Sequence, residues 1–170
     1  MTSYQADQLD TRLLELLHED ASLSHSELAI MVNTTESDVT ARIKSLTEAG
    51  IIKRYQAVID WESVDANKST AIIQLGVTPE PEQGFDAVAN RIMEFEEVEG
   101  VYLMSGGYDL TVIVQGDSMR DIALFVARRL STIEGVSSTA THFILSRYKD
   151  NNIIYQNNNV REDRRNVFDD

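Results

Sequence analysis

Apolar residues recur in this chain at two different periods, and the change falls close to Gly50. Ahead of it the spacing is helical. Leu9, Leu13, Leu16 and Leu17 repeat at i, i+4, i+7 and i+8, which predicts an amphipathic helix ending near Asp20. Ser24-His25-Ser26-Glu27 has the spacing of a capping box, in which a hydroxyl and a carboxylate each satisfy an orphan amide, and opens a second helix with Leu28, Ala29 and Val32 inward. Asn33-Thr34 reads as a short turn. Thr35-Glu36-Ser37-Asp38 reads as another capping box, opening a third helix on Val39, Ile43 and Leu46, with Gly50 as its stop. A helix followed by two more joined through a tight turn is a helix-turn-helix arrangement.

Beyond Gly50 the period shortens. Residues 51–59 are β-rich and partly alternating, which predicts the wing of a winged helix-turn-helix. Residues 1–60 are thus expected to be one domain and the polar stretch 61–68 a linker. From Ser69 the pattern alternates: strand to Val77, a break at Pro79 and Pro81, a helix on Phe85, Val88, Ile92 and Phe95, strands at 101–105 and 108–115 about a Gly106-Gly107 turn, a helix on Ile122, Phe125, Val126, Arg129, Leu130 and Ile133, and a last strand over 136–147. That order, βαββαβ, is ferredoxin-like. The predicted class is therefore α+β, an N-terminal winged helix-turn-helix followed by a ferredoxin-like domain over 69–155. Val98-Glu99-Gly100-Val101 returns as Ile133-Glu134-Gly135-Val136, each where helix passes to strand, consistent with two related halves. Ile153-Ile154-Tyr155 could add a short edge strand. The polar tail 156–170 is expected to be disordered.

Composition closes several routes. With no Cys among 170 residues there is no disulfide framework, thiolate zinc site or cysteine nucleophile. His18, His25 and His142 stand at no metal-ligand spacing, so no metal and no cofactor are expected. No apolar run approaches the ~18 residues of a membrane span, and the polar, acidic start lacks secretory character. The expected compartment is the cytoplasm. No nucleophile-base pair or phosphate loop stands out, so the chain is read as a non-enzyme. The net charge of −13 opposes nucleic acid binding, and residues 1–66 carry 5 basic against 12 acidic groups. One stretch differs: 42–54 holds Arg42, Lys44, Lys53 and Arg54 against Glu48.

Two regions could carry function. With Val39, Ile43 and Leu46 inward, the third helix turns outward Ser37, Thr40, Ala41, Lys44, Ser45 and Glu48, short or basic side chains that suit a major groove and would also suit an ordinary solvated face. The turn Ser105-Gly106-Gly107-Tyr108-Asp109 offers bare amides beside a carboxylate, which could hold both ends of a zwitterion; it could equally be a hairpin that uses Gly for geometry. Thr139 and Thr141 share one face of the last strand, lining a small polar pocket or reflecting β-propensity alone.

The elements in this order resemble the Lrp/AsnC family of transcription regulators over roughly residues 7–155. The resemblance rests on Leu9-Asp10, Glu27-Leu28-Ala29, Arg42-Ile43 with Leu46, residues 50–57, Gly100-Val101, residues 105–110, and Gly135-Val136 followed by Thr139-Ala140-Thr141. It implies a ferredoxin-like effector domain of the RAM type that pairs sheet to sheet into homodimers, which can assemble into octamers, and an amino acid or related small molecule bound between subunits. It implies Gly106, Gly107, Tyr108 and Asp109 as the grip on the effector, with Thr139 and Thr141 contributing. It implies double-stranded promoter DNA as partner, met by Ser37, Thr40, Arg42 and Lys44, with Lys53 and Arg54 on phosphates. Two other readings share the build: a sensor module that does not bind DNA, supported by the acidic charge, and an enzyme similar to the sirohaem decarboxylases, for which the second half offers only His142.

Overall fold

The computed structural model describes residues 4–79 and 84–155, which divide into two compact units, Met1–Ile59 and Asp60–Asp170. The expected disorder of 156–170 lies outside the described residues.

The first unit is helical: α1 (Gln8–Glu19), α2 (His25–Met31) and α3 (Glu36–Glu48). Its core is the set the periodicity selects, Leu13, Leu16, Leu28, Ala29, Val39 and Ile43, with Leu17, Leu23, Val32 and Ile52 packed around it. Each helix begins where a side chain takes an orphan amide. Asp7 accepts from Asp10 N–H at 2.8 Å while the Asp10 carboxylate accepts from Asp7 N–H at 3.1 Å, a capping box built from two aspartates and not foreseen. Ser24 and Glu27 form the expected box. At α3 only half of the expected box exists. Thr35 accepts from Asp38 N–H, but the Asp38 carboxylate turns away to the Thr34 hydroxyl and to Arg42. Asn33 (φ 55°) makes the left-handed step out of α2, and Gly50 (φ 70°) makes the step out of α3, where Ile51 N–H returns to the Leu46 carbonyl at 2.9 Å.

The wing expected over 51–59 is not a strand. Residues 51–60 form no β-ladder, and Ile51, Tyr55, Val58 and Ile59 are exposed. A strand exists only by pairing, and the other described elements of this unit are helices, so the β-rich run has no edge to join. The expected linker holds a short helix, α4 (Trp61–Val64), capped by Asp60.

The second unit is a four-stranded antiparallel sheet in the order β2-β3-β1-β4, formed by β1 (Ser69–Val77), β2 (Val98–Leu103), β3 (Leu110–Gly116) and β4 (Val136–Phe143). The crossovers are α5 (Asp86–Met93) and α6 (Met119–Arg128), so the ferredoxin-like order βαββαβ holds. Alternation decides the faces. Ala71, Ile73, Leu75 and Val77 of β1 and Leu110, Val112 and Val114 of β3 face the helices and pack with Val88, Ile92, Ile122, Phe125, Val126 and Leu130. Thr70, Ile72, Gln74 and Gly76 face the other way. The last strand stops at Phe143, short of the expected 147. The segment Ile153-Ile154 joins no edge of this sheet. It folds back as β6 (Ile153–Ile154) on β5 (Lys149–Asp150) through Asn151 and Asn152, both at positive φ, a two-residue hairpin turn.

Candidate nucleic-acid interface and effector site

The outward face of α3 carries Ser37, Thr40, Ala41 and Lys44, all exposed. Lys44 is free to swing: its side chain is 74% exposed and only 3.8 Å from Glu48 one turn on. Lys53 and Arg54 follow the helix stop and are exposed. The Lys53 ammonium lies back over Gly50, at the carbonyl end of α3, where the helix dipole favours a cation. Thr40 is tied down. Its hydroxyl donates to the Glu36 carbonyl at 2.8 Å and lies 2.8 Å from Nδ1 of His25, the first residue of α2. Sequence reasoning set His25 aside, because nothing in the spacing of residues 25 and 40 shows that the two helices bring them together.

Arg42 does not belong to this face. Its guanidinium turns inward and donates to Asp7 and Asp10 at 2.8 Å each and to Asp38 at 3.0 Å. Asp10 is 2% exposed and also accepts from the Tyr4 hydroxyl. Burial alone would push the Asp10 carboxyl up. The hydrogen bonds from Arg42, the Asp7 amide and Tyr4 outweigh it and hold this carboxyl below its ordinary value. Asp7 is lowered by the Asp10 amide and by Arg42, and Arg42 itself is raised, first by Asp7 and then by Asp10. A guanidinium surrounded by three carboxylates has no charge to spare for a phosphate. Its placement in a basic stretch of sequence was misleading, since the partners come from 32 and 35 residues away.

In the sheet unit the β2–β3 turn and the start of β4 come to the same end, on either side of β1. Gly106 and Gly107 are exposed with nothing packed against them, whereas Tyr108 and Asp109 are half-buried. Asp109 N–H donates to the Leu75 carbonyl at 2.9 Å, and its Oδ2 accepts from Val77 N–H at 2.8 Å. That carboxylate therefore closes the end of β1 at the point where the β1–β4 register shifts between Gly76 and Val77. Its other oxygen has no partner among the described residues. Thr139 and Thr141 stand opposite Leu75 and Ile73, on the helix side of edge strand β4, and are half-buried. Thr139 is one strand away from the turn, and Thr141 lies further from that end.

The same end opens a cleft of about 490 Å³ lined by Thr78, Pro79, Arg91, Glu134, Gly135, Val136 and Ser137. Gly135 belongs to the repeated tetrapeptide noted above. Its φ of 93° and a Val88 methyl 2.9 Å from where a Cβ would stand both require glycine. Gly100, its counterpart, sits inside β2 beneath the Tyr102 ring, so the repeat does not place its two glycines alike.

Comparison with known proteins agrees with both halves. Residues 70–154 match the Lrp/AsnC ligand binding domain and residues 7–53 a winged helix-turn-helix DNA-binding model. The chain is 44% identical over 148 residues to the HTH-type transcriptional regulator YugG of Bacillus subtilis, spanning 86% of this chain and 89% of that one. It is 31% identical over 143 residues to LrpA of Pyrococcus abyssi, spanning 84% and 99%. Among solved structures it is similar to the Neisseria meningitidis transcriptional regulator NMB0573 in complex with L-Met (TM-score 0.72, 25% identity, 86% and 94% covered). It is also similar to the leucine response regulatory protein LrpA of Mycobacterium tuberculosis (TM-score 0.73, 26% identity, 86% and 97% covered).

Proposed function

This chain belongs to the Lrp/AsnC family of DNA-binding transcription regulators, and from that premise we propose that it reads an amino acid or related small molecule through its sheet unit and transmits the result to DNA held by its helical unit. One observation carries the reading: both family models fall on one chain, each over its own compact unit. On this reading α3 enters the major groove with Ser37, Thr40 and Lys44 toward the bases, and Lys53 and Arg54 rest on phosphates. Arg42 is left out, for the reason given above.

The effector seat is the turn end of the sheet. Gly106 and Gly107 amides meet a carboxylate, the open oxygen of Asp109 meets an ammonium, and Tyr108 and Thr139 bound the side chain. The relative solved with L-Met supports an amino acid as the class. A second copy of the chain would cover the sheet face opposite α5 and α6. There Ile72 and Ile113 stand side by side, Tyr102 is exposed, and the buried Thr111 hydroxyl has no partner. Effector bound at such an interface would couple to DNA by shifting which assembly is favoured.

The test is fluorescence anisotropy of the full chain on a labelled duplex from its own upstream region, at two salt concentrations, with and without each amino acid. Saturable binding that weakens with salt, and that one amino acid shifts, is the expected result. Binding that no amino acid alters refutes the effector reading and leaves a constitutive DNA-binding protein.

A further inference from the structure

The contact between His25 and Thr40 joins the two helices of the helix-turn-helix by a side-chain hydrogen bond, and its polarity can be assigned. The Thr40 hydroxyl has one hydrogen, which goes to the Glu36 carbonyl. Toward His25 it can only accept. The 2.8 Å contact therefore requires a hydrogen on Nδ1 of His25. This fixes the ring: Nδ1 faces α3, and Nε2, which has no partner among the described residues, faces away from Thr40. In the neutral ring that Nε2 carries a lone pair. Only the imidazolium has a hydrogen there to donate.

Thr40 lies on the outward face of α3 beside Lys44, and in a helix-turn-helix the helix ahead of the recognition helix crosses the DNA backbone. A ring on α2 hydrogen-bonded to that face stands at the edge where base contacts give way to phosphates. The backbone amide of Glu27 and its carboxylate are already engaged with Ser24, and a backbone amide donates at any pH, so the ring is the group at this end whose donor at Nε2 depends on a proton. Resting on the DNA-binding reading, we propose that His25 is a phosphate-binding residue of the DNA interface that acts only when protonated, so that duplex binding by this chain takes up protons.

The other charged groups around the ring do not supply this dependence. Glu27 on α2 is held by the Ser24 hydroxyl and amide and lowered by them, and Asp20 is likewise lowered by Ser22. Glu36 and Lys44 stand one turn to either side of Thr40 on α3, and both are retained in His25→Gln, so a slope that this substitution flattens is not theirs. His18, in the last turn of α1, is the other imidazole of this unit and so the natural control.

The experiment is anisotropy of the full chain on a labelled random-sequence duplex, at constant low ionic strength, from about pH 5.5 to 8. A phosphate contact needs no particular operator. For the native chain, log Kd should rise with pH by up to about one per pH unit for each engaged head. His25→Gln should flatten that slope while matching native affinity at the alkaline end, and His18→Gln should leave it unchanged. Thr40→Val, which frees the ring, should lose part of the dependence. Independently, the His25 ring resonance should titrate at higher pH in the presence of duplex than in its absence. A slope unaltered by His25→Gln, or a His25 titration that DNA does not move, overturns the assignment. Failure to bind duplex at every pH overturns the DNA-binding reading beneath it.

Discussion

The two units solve the same problem of stability with different means. Among the described residues, the sheet unit buries thirteen apolar residues in one cluster between a sheet and two helices. The helical unit's cluster has six among the described residues, and at its edge it places a buried aspartate and an arginine that binds three carboxylates. A small three-helix domain has little apolar surface to remove from water, so the relative orientation of α1 and α3 is fixed by charge-assisted hydrogen bonds. The lesson is that cations in the head serve two masters. Arg42 holds the domain together, while Lys44, two residues along the same helix, is left to solvent.

The contrast is sharpest at single residues. Ile73→Ala removes a fully buried side chain from the centre of β1 and should cost about 3–4 kcal/mol. Denaturation followed by hydrogen exchange should show that loss in the strands, with protection in α1–α3 unchanged. Arg42→Ala should cost about 2–4 kcal/mol, because it leaves the buried Asp10 carboxylate without its cation. That loss should appear in the helices and leave the sheet protected. Equal loss of protection in both units for either variant would show that they unfold together, and the comparison would fail.

Acid separates the two more gently. Asp7 and Asp10 sit below their ordinary values in the fold, so the stability they contribute is fully present above the unfolded carboxyl range. It drains away as pH falls below about 4 toward the depressed folded values. On acidification the helical unit should therefore lose its exchange protection before the sheet, and Asp10→Asn should remove much of that difference. Simultaneous loss in both units at every acid pH would sink this account.

How much of this was legible in the sequence follows from the range of the forces. Helices and their inward faces were readable, because Leu13, Leu16, Leu28, Val39 and Ile43 recur at a local period and the Ser24 box closes within four residues. The order of strands and helices along the second unit was readable from the changes of period between Ser69 and Phe143. The missing wing strand was not, since residues 51–59 have the composition of a strand and pairing depends on what else is in reach. Nor could the sequence show that Arg42 is taken. Its role is set by Asp7 and Asp10 on another helix, and a basic residue in a basic run looks available. His25 was passed over for the same reason in reverse: its partner, Thr40, is fifteen residues away. At the β2–β3 end of the sheet the Gly106-Gly107 turn was legible, but the strand-closing bond of Asp109 to Val77 was not, and nothing in the repeated tetrapeptide showed that Gly135 lines a cleft.

The smallest effect on stability should be the most informative about DNA. Lys44→Ala removes an exposed ammonium loosely paired with Glu48, so folding should change by less than about 0.5 kcal/mol. Arg54→Ala should be similarly mild. If Lys44 enters the groove and Arg54 rests on a phosphate, each sets one positive charge against the duplex, so each variant should weaken binding and lower the slope of log Kd against log salt by about 0.9 for each helical unit bound. Arg42 should behave the other way round. Arg42→Ala, measured where the protein remains folded, should leave the salt slope intact, because its charge is already spent on Asp7, Asp10 and Asp38. A slope that falls with Arg42 and holds with Lys44 would mean that DNA draws the guanidinium out of its cage, with the head rearranging on binding to release it.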